Sequence, residues 1–228
     1  MRVRLLTCLA SAAALAVLAG CGGSSSGGGV ASESPQKILK DSVAAANGLK
    51  SVHAAGTINS GGQHITIDIQ LVGGVGGQGQ ISLGGLAFKL VGLNHYAYMQ
   101  APPAVWQKAG APAAAAQQLQ GKWLRTPATG QFASIASLTN IHTLFNQLLS
   151  QHGKTLKKGD ESTVAGRKVV AVTGGQGTLY VATSGKPYPV ELFKGGSDGG
   201  RIDFDRFNQA VSLSAPKNTI DLPQVSGG

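Results

Sequence analysis

Ser197 stands in Gly195-Gly196-Ser197-Asp198-Gly199, the G-x-S-x-G spacing that presents a nucleophilic serine in many hydrolases. That chemistry needs a strand-to-helix turn and a histidine later in the chain, to hold the serine at a strained elbow and take its proton. The last histidine is His152, and residues 201–207 alternate as a strand, so the motif reads as a hairpin tip. Gly74-Val75-Gly76-Gly77-Gln78-Gly79 matches G-x-G-x-x-G. A dinucleotide site requires a helix to begin there, because its first amides and its dipole hold the pyrophosphate. Gln80, Ile81, Ser82 and Leu83 continue instead as an alternating strand, so a glycine-rich hairpin is expected. The five histidines are His53, His64, His95, His142 and His152, and no pair has the i, i+4 spacing with glutamate of a zinc helix. His64 is expected on the wet face of its strand, and the orientation of His142 stays open. The ten carboxylates are dispersed; Asp203 and Asp205 share a strand face with Arg201 and read as a solvated charge ladder. These patterns imply no catalytic centre, no metal site and no bound cofactor.

Cys21 is different. Arg2 and Arg4 precede an apolar run, residues 5–19, of about 15 residues, short of the roughly 20 a membrane-spanning helix needs. A positive start, a short apolar core and small residues at its end describe an export signal. Leu18-Ala19-Gly20-Cys21 resembles a bacterial lipobox, which implies cleavage before Cys21, a diacylglyceryl thioether on its sulfur and acylation of the new amino end. Cys8 lies within the signal and is removed with it, so no disulfide within the chain is expected. Acyl chains, at about 0.8 kcal/mol per buried methylene, would hold the protein on the extracytoplasmic face of the cell membrane. The boundaries expected are a signal over 1–20, a Gly/Ser-rich flexible tether over 21–34, one domain over 35–222 and a tail over 223–228.

The chain has 228 residues and a net charge of +9, of which Arg2 and Arg4 contribute two. The remaining lysines and arginines are scattered, with Lys154, Lys157 and Lys158 the tightest group. No basic stripe interleaves with aromatic residues, so nucleic acid is not expected as a partner. A mild attraction to anionic lipid headgroups is the better use of this charge. Charged residues make up 13% of the chain, and its 34 glycines punctuate short apolar segments, which predicts many turns between strands.

The elements follow from periodicity. Ser34 and Pro35 cap a helix over about 35–47, with Ile38, Leu39, Ser42, Val43, Ala46 and Leu49 at helical spacing. In residues 63–72, Ile65, Ile67, Ile69 and Leu71 alternate with polar residues, which predicts a half-buried strand. Short strands follow near 80–83, 86–90 and 96–98, and Pro102-Pro103 stops them. A helix is expected over 113–120 and a strand near 121–125. Leu138, Ile141, Leu144, Phe145, Leu148 and Leu149 form the strongest helical stripe. Strands are expected again near 164, 169–172, 178–183, 190–193 and 202–207, with a last extended piece over 211–215. No βαβ alternation occurs, so the fold class expected is α+β, one large antiparallel sheet with helices across its apolar face.

Four stretches carry a resemblance: ILKDSVAAANGLKSVHAAGTI (38–58), GDESTVAGRKVVAVTGG (159–175), TLYVATSGKPYPVELF (178–193) and RIDFDRFNQAVSLSAPK (201–217). With the lipobox and the leading helix, the chain resembles the actinobacterial lipoprotein carriers of the LppX and LprG type, and more distantly the LolA-like fold. The resemblance implies a curved, half-barrel sheet with helices covering its concave face and an apolar cavity between. It also implies binding of lipid or lipoglycan acyl chains and their transfer through the envelope. An envelope transporter or another envelope protein then becomes an expected partner. No ligand residue carries over by motif.

The residues themselves leave two packings open, since large strand side chains facing helical alanines either interdigitate into a full core or leave an oily hollow. For a hollow, the expected lining is Leu39, Val43, Ile65, Ile67, Ile69, Leu71, Leu86, Phe88, Leu144, Phe145, Leu148, Leu179 and Val181. Trp106, Trp123, Tyr96 and Tyr98 suit either the mouth of a pocket or ordinary half-buried packing. A filled core would suit an envelope sensor or scaffold with no lipid cargo. Neither reading makes the protein an enzyme.

Overall fold

The computed structural model describes residues 29–130, 133–150, 155–175 and 177–222, with the side chains of 134–136 and 148–150 left undescribed. The signal segment, Cys21 and most of the tether lie outside the described residues, as does the side chain of Leu148.

The elements in chain order are α1 (Pro35–Asn47), β1 (Ser51–Ser60), β2 (Gln63–Val72), β3 (Gly76–Leu83), β4 (Leu86–Leu93), β5 (Tyr96–Gln100), α2 (Pro103–Lys108), α3 (Ala113–Gln118), β6 (Trp123–Pro127), α4 (Ala133–Leu138), α5 (Ile141–Ser150), β7 (Lys157–Val164), β8 (Arg167–Gly174), β9 (Gly177–Ala182), β10 (Pro189–Lys194), β11 (Gly200–Asp205) and β12 (Thr219–Asp221). The strands form one open sheet in the order β12-β6-β5-β4-β3-β2-β1-β11-β10-β9-β8-β7. Neighbours pair antiparallel except β12, which runs parallel to β6. It sits where a side-chain fork holds it, Arg125 donating to Asp221 through Nε at 2.6 Å and Nη2 at 2.8 Å. The extended piece expected over 211–215 is not a strand; the chain pairs eight residues later instead.

Helix α1 forms where its caps place it. Ser34 Oγ accepts the Lys37 amide, Pro35 sits in the first turn, and the Gly48 amide closes back on Ala44 and Ala45. Ile38, Ser42 and Ala46, four residues apart, form the buried stripe. β1 joins the two halves of the sheet, pairing with β2 on one side and β11 on the other. Its alternation is weak in sequence, because the inward residues after Val52 are Ala54 and Gly56. Gly56 is required there: a Cβ would run into the Arg201 carbonyl of β11. The Leu138–Leu149 stripe is not one helix. Thr139 and Asn140 break it, and Asn140 Oδ1 accepts the Thr143 amide at 2.9 Å to cap α5. This joint sits down on the sheet over Gly77 and Gly92, whose missing side chains leave room for Thr139.

A single apolar cluster draws residues from α1, α5 and from strands as far apart as β5 and β8. A flat twelve-stranded sheet cannot bring those strands to two adjacent helices, so the sheet curves around α1 and α5, and its concave face holds the core.

Candidate functional site

Residues 141–150 of α5 present two stripes. Ile141 and Phe145 point into the core, where Phe145 is 0% exposed and its ring lies 5.0 Å from that of Phe204 on β11. Leu144 and Gln147 face another way and wall a cavity of about 380 Å³. The rest of the wall comes from Leu138, from Ile58, Ile67, Leu192 and Ile202 on the concave strand faces, and from the two turns above them. Those turns supply Asn59, Ser60, Lys194, Asp198, Gly199 and Gly200, so the cavity is apolar inside and polar at its mouth. Asp198 Oδ1 accepts the Gly61 amide at 3.0 Å and ties the two turns together. A volume of this size lies at the low end of the roughly 300–1,000 Å³ typical of small-molecule sites.

The aliphatic lining continues sideways. Ile67 pairs with Ile81 and Ile65 with Leu83; Ile81 in turn pairs with Phe88, and Leu83 with Leu86. Leu83, Leu86 and Phe88 reach a second, smaller cleft of about 230 Å³, roofed by Val105, Lys108 and Ala109 of and next to α2. The row of paired side chains thus runs from one cleft to the other across β2 and β3.

The residues expected to line a hollow separate into three groups. Ile67 and Leu144 line the main cavity, and Leu86 and Phe88 line the second cleft. Leu39, Val43 and Ile65 pack half-buried against the central cluster. Ile69, Leu71, Phe145, Leu179 and Val181 are fully buried within that cluster and border neither cleft. Sequence reading passed over Ile58, Leu138, Leu192 and Ile202 as lining, although Leu138, Leu192 and Ile202 sit in an apolar alternation or stripe. Lys194, Asp198 and Gln147 carried no signal, since only the meeting of two hairpin turns with α5 puts them at one mouth. The four aromatic residues do not ring it. Trp106 is buried and donates Nε1–H to the Ala101 carbonyl at 3.1 Å, Tyr98 is buried, and Tyr96 borders a different cleft.

The chemical motifs resolve into turns and ladders. Ser197 lies in the β10–β11 connection and Gly74–Gly79 spans the β2–β3 turn, each followed by a strand. His64 is exposed and its Nδ1 lies 2.8 Å from Asn59 Oδ1. On the convex face, Arg201 bridges Asp203 at 2.8 Å and Glu191 at 3.0 Å. Burial pushes the Glu191 carboxyl up from its ordinary value, Arg201 pulling against it. Asp205 turns instead to His53, whose Nδ1 lies 2.6 Å from its Oδ1 and whose Nε2 lies 3.0 Å from Asp68 Oδ1. This pins β1 to both neighbours. Among the described residues no group of three potential ligands is placed to hold a metal ion.

An open sheet curved around two helices matches the LppX-like and LolA-like fold. No protein-family model matches the sequence, and no curated protein sequence matches it. Solved structures do. LprF from Mycobacterium bovis superposes on 80% of this chain and 96% of its own at a TM-score of 0.54 and 15% identity. The lipoprotein LppX of Mycobacterium tuberculosis superposes on 79% of this chain and 100% of its own at a TM-score of 0.51 and 16% identity. The chain has their fold. No helix among the described residues is long and apolar enough to cross a membrane.

Proposed function

We propose that this protein is an extracytoplasmic lipoprotein, anchored through Cys21, that holds lipid acyl chains in the cavity beside α5 and carries them within the cell envelope. The observation that supports this reading is the cavity itself: six aliphatic side chains inside, charged and amide groups only at the mouth. An acyl chain there loses about 0.8 kcal/mol of unfavourable hydration per methylene, so ten buried methylenes offer about 8 kcal/mol before ordering costs. The fold shared with the lipoprotein LppX agrees with an envelope role. The action is non-covalent, with a tether over 21–34 allowing the folded domain of 35–222 to reach a donor and an acceptor.

Native mass spectrometry of the unlipidated Cys21→Ser chain, purified without detergent and offered dioleoylphosphatidylglycerol and dioleoylphosphatidylethanolamine, tests the proposal. A retained lipid mass, or uptake of one added lipid per chain, is expected. A bare chain that takes up neither lipid overturns the carrier reading in favour of a scaffold for other envelope proteins.

A further inference from the structure

The cavity beside α5 has a floor. Ile67, Gly56, Ile202 and Leu192 are register partners across β2, β1, β11 and β10, and the three with side chains wall the cavity. The next row of partners, two residues further from the mouth, is Ile69, Ala54 and Phe204, all buried. Phe145 closes on Phe204 from α5, ring centre to ring centre at 5.0 Å. A chain that enters between the β1–β2 and β10–β11 turns therefore meets packed core.

Volume then limits what enters. An apolar cavity of about 150 Å³ accepts benzene, which sets about 25 Å³ per carbon. On that scale this cavity, at about 380 Å³, takes roughly fifteen carbons, which is one acyl chain; two chains of sixteen carbons need roughly 800 Å³. The smaller cleft near α2 shares no lining residue with the cavity and, at about 230 Å³, takes roughly nine carbons.

One charge at the mouth stands without a partner. Asp198 Oδ1 accepts the Gly61 amide, and Asn59 Oδ1 lies 2.8 Å from His64 Nδ1. Lys194 forms no ion pair among the described residues. It follows Leu192 by two residues, so its side chain leaves β10 on the cavity side.

From the floor, the volume and this cation we infer that the cavity selects lipids with a single acyl chain and an anionic head, a carboxylate or a phosphate, which Lys194 meets at the mouth. The inference rests on the carrier reading above and narrows it. A diacyl lipid seats one chain in the cavity. Its second lies only partly covered, over the half-buried Ile65, Leu83 and Leu86 toward the smaller cleft, so it is retained more weakly.

The test offers the Cys21→Ser chain equimolar mixed vesicles of palmitate, palmitoyl-lysophosphatidylglycerol, monopalmitoylglycerol and dipalmitoylphosphatidylglycerol, then reads the bound lipid by native mass spectrometry. One single-chain lipid per protein is expected, exceeding the diacyl lipid at least about tenfold. The two anionic single-chain lipids are expected to exceed monopalmitoylglycerol at least about threefold, and their ratio tells whether carboxylate or phosphate is preferred. Lys194→Gln is expected to bring both down to the level of monopalmitoylglycerol, whose own retention stays unchanged; a general loss of folding would lower all three together. Diacyl lipid retained as well as single-chain lipid, two chains per protein, or an unchanged anionic preference in Lys194→Gln overturns this inference and leaves the carrier reading standing. A chain that retains none of the four lipids overturns both.

Discussion

The concave face of the sheet has two ends built from the same residue types. Toward one end Ile38, Leu71, Phe145, Phe204, Leu179 and Val181 close on one another, and none of them borders a cleft. At the other, Ile58, Ile67, Leu144, Leu192 and Ile202 face a hollow. Side-chain hydrophobicity does not separate the two sets. What does is the placement of α5: one stripe of the helix, Ile141 and Phe145, plugs the first end, and the adjacent stripe, Leu144 and Gln147, stands back from the second. The hollow is core that the helices do not reach.

The contrast can be broken most directly at the filled end. Phe145→Ala is expected to cost about 3–5 kcal/mol in urea denaturation, since a fully buried ring with an aromatic neighbour leaves a cavity on removal. Leu144→Ala, one residue away, should cost far less and register mainly in lipid uptake. Gly92→Val attacks the joint that sets α5 in place. Its side chain collides with Thr139, and a loss of about 1–3 kcal/mol is expected by the same measurement. Ile67→Trp fills the open end instead. Lipid retained in native mass spectrometry is expected to fall at least tenfold, with stability within about 1 kcal/mol of the parent chain. The smallest effect sharpens the contrast from α1. Ser42 Oγ is buried at the filled end with no hydrogen-bond partner among the described residues, so Ser42→Ala is expected to stabilise by about 1 kcal/mol. A loss of stability there would show that the hydroxyl does find a partner in solution.

Much of the fold could be read ahead of the structure where local rules act alone. α1 begins and ends at its caps, and β2 and β3 lie where apolar and polar residues alternate or glycines break them. β1 escaped because its inward positions are alanine and glycine, chosen for the close approach of β11 rather than for greasiness. α2 escaped because Pro103, read as a stop, is a first-turn residue. β12 escaped because three residues carry no periodicity and its position depends on Arg125, 96 residues earlier. For the site, the pattern named the concave face correctly as apolar. It had no means of dividing Ile67 from Ile69 or Leu144 from Phe145, as alternation marks a face and not what stands opposite it.

From the residues in order came the helix caps, the strand periods, the glycine-rich hairpins and the expectation of a sheet with one oily face. These depend on backbone geometry within a few positions, and the chain carries that information locally. Tertiary structure decided which part of the oily face is filled and which turns meet at the cavity mouth. Those outcomes depend on where α5 lands against Gly77 and Gly92, and on strands brought together from opposite ends of the chain. No local rule reaches them, because packing is settled by the partner that arrives and not by the residue that waits.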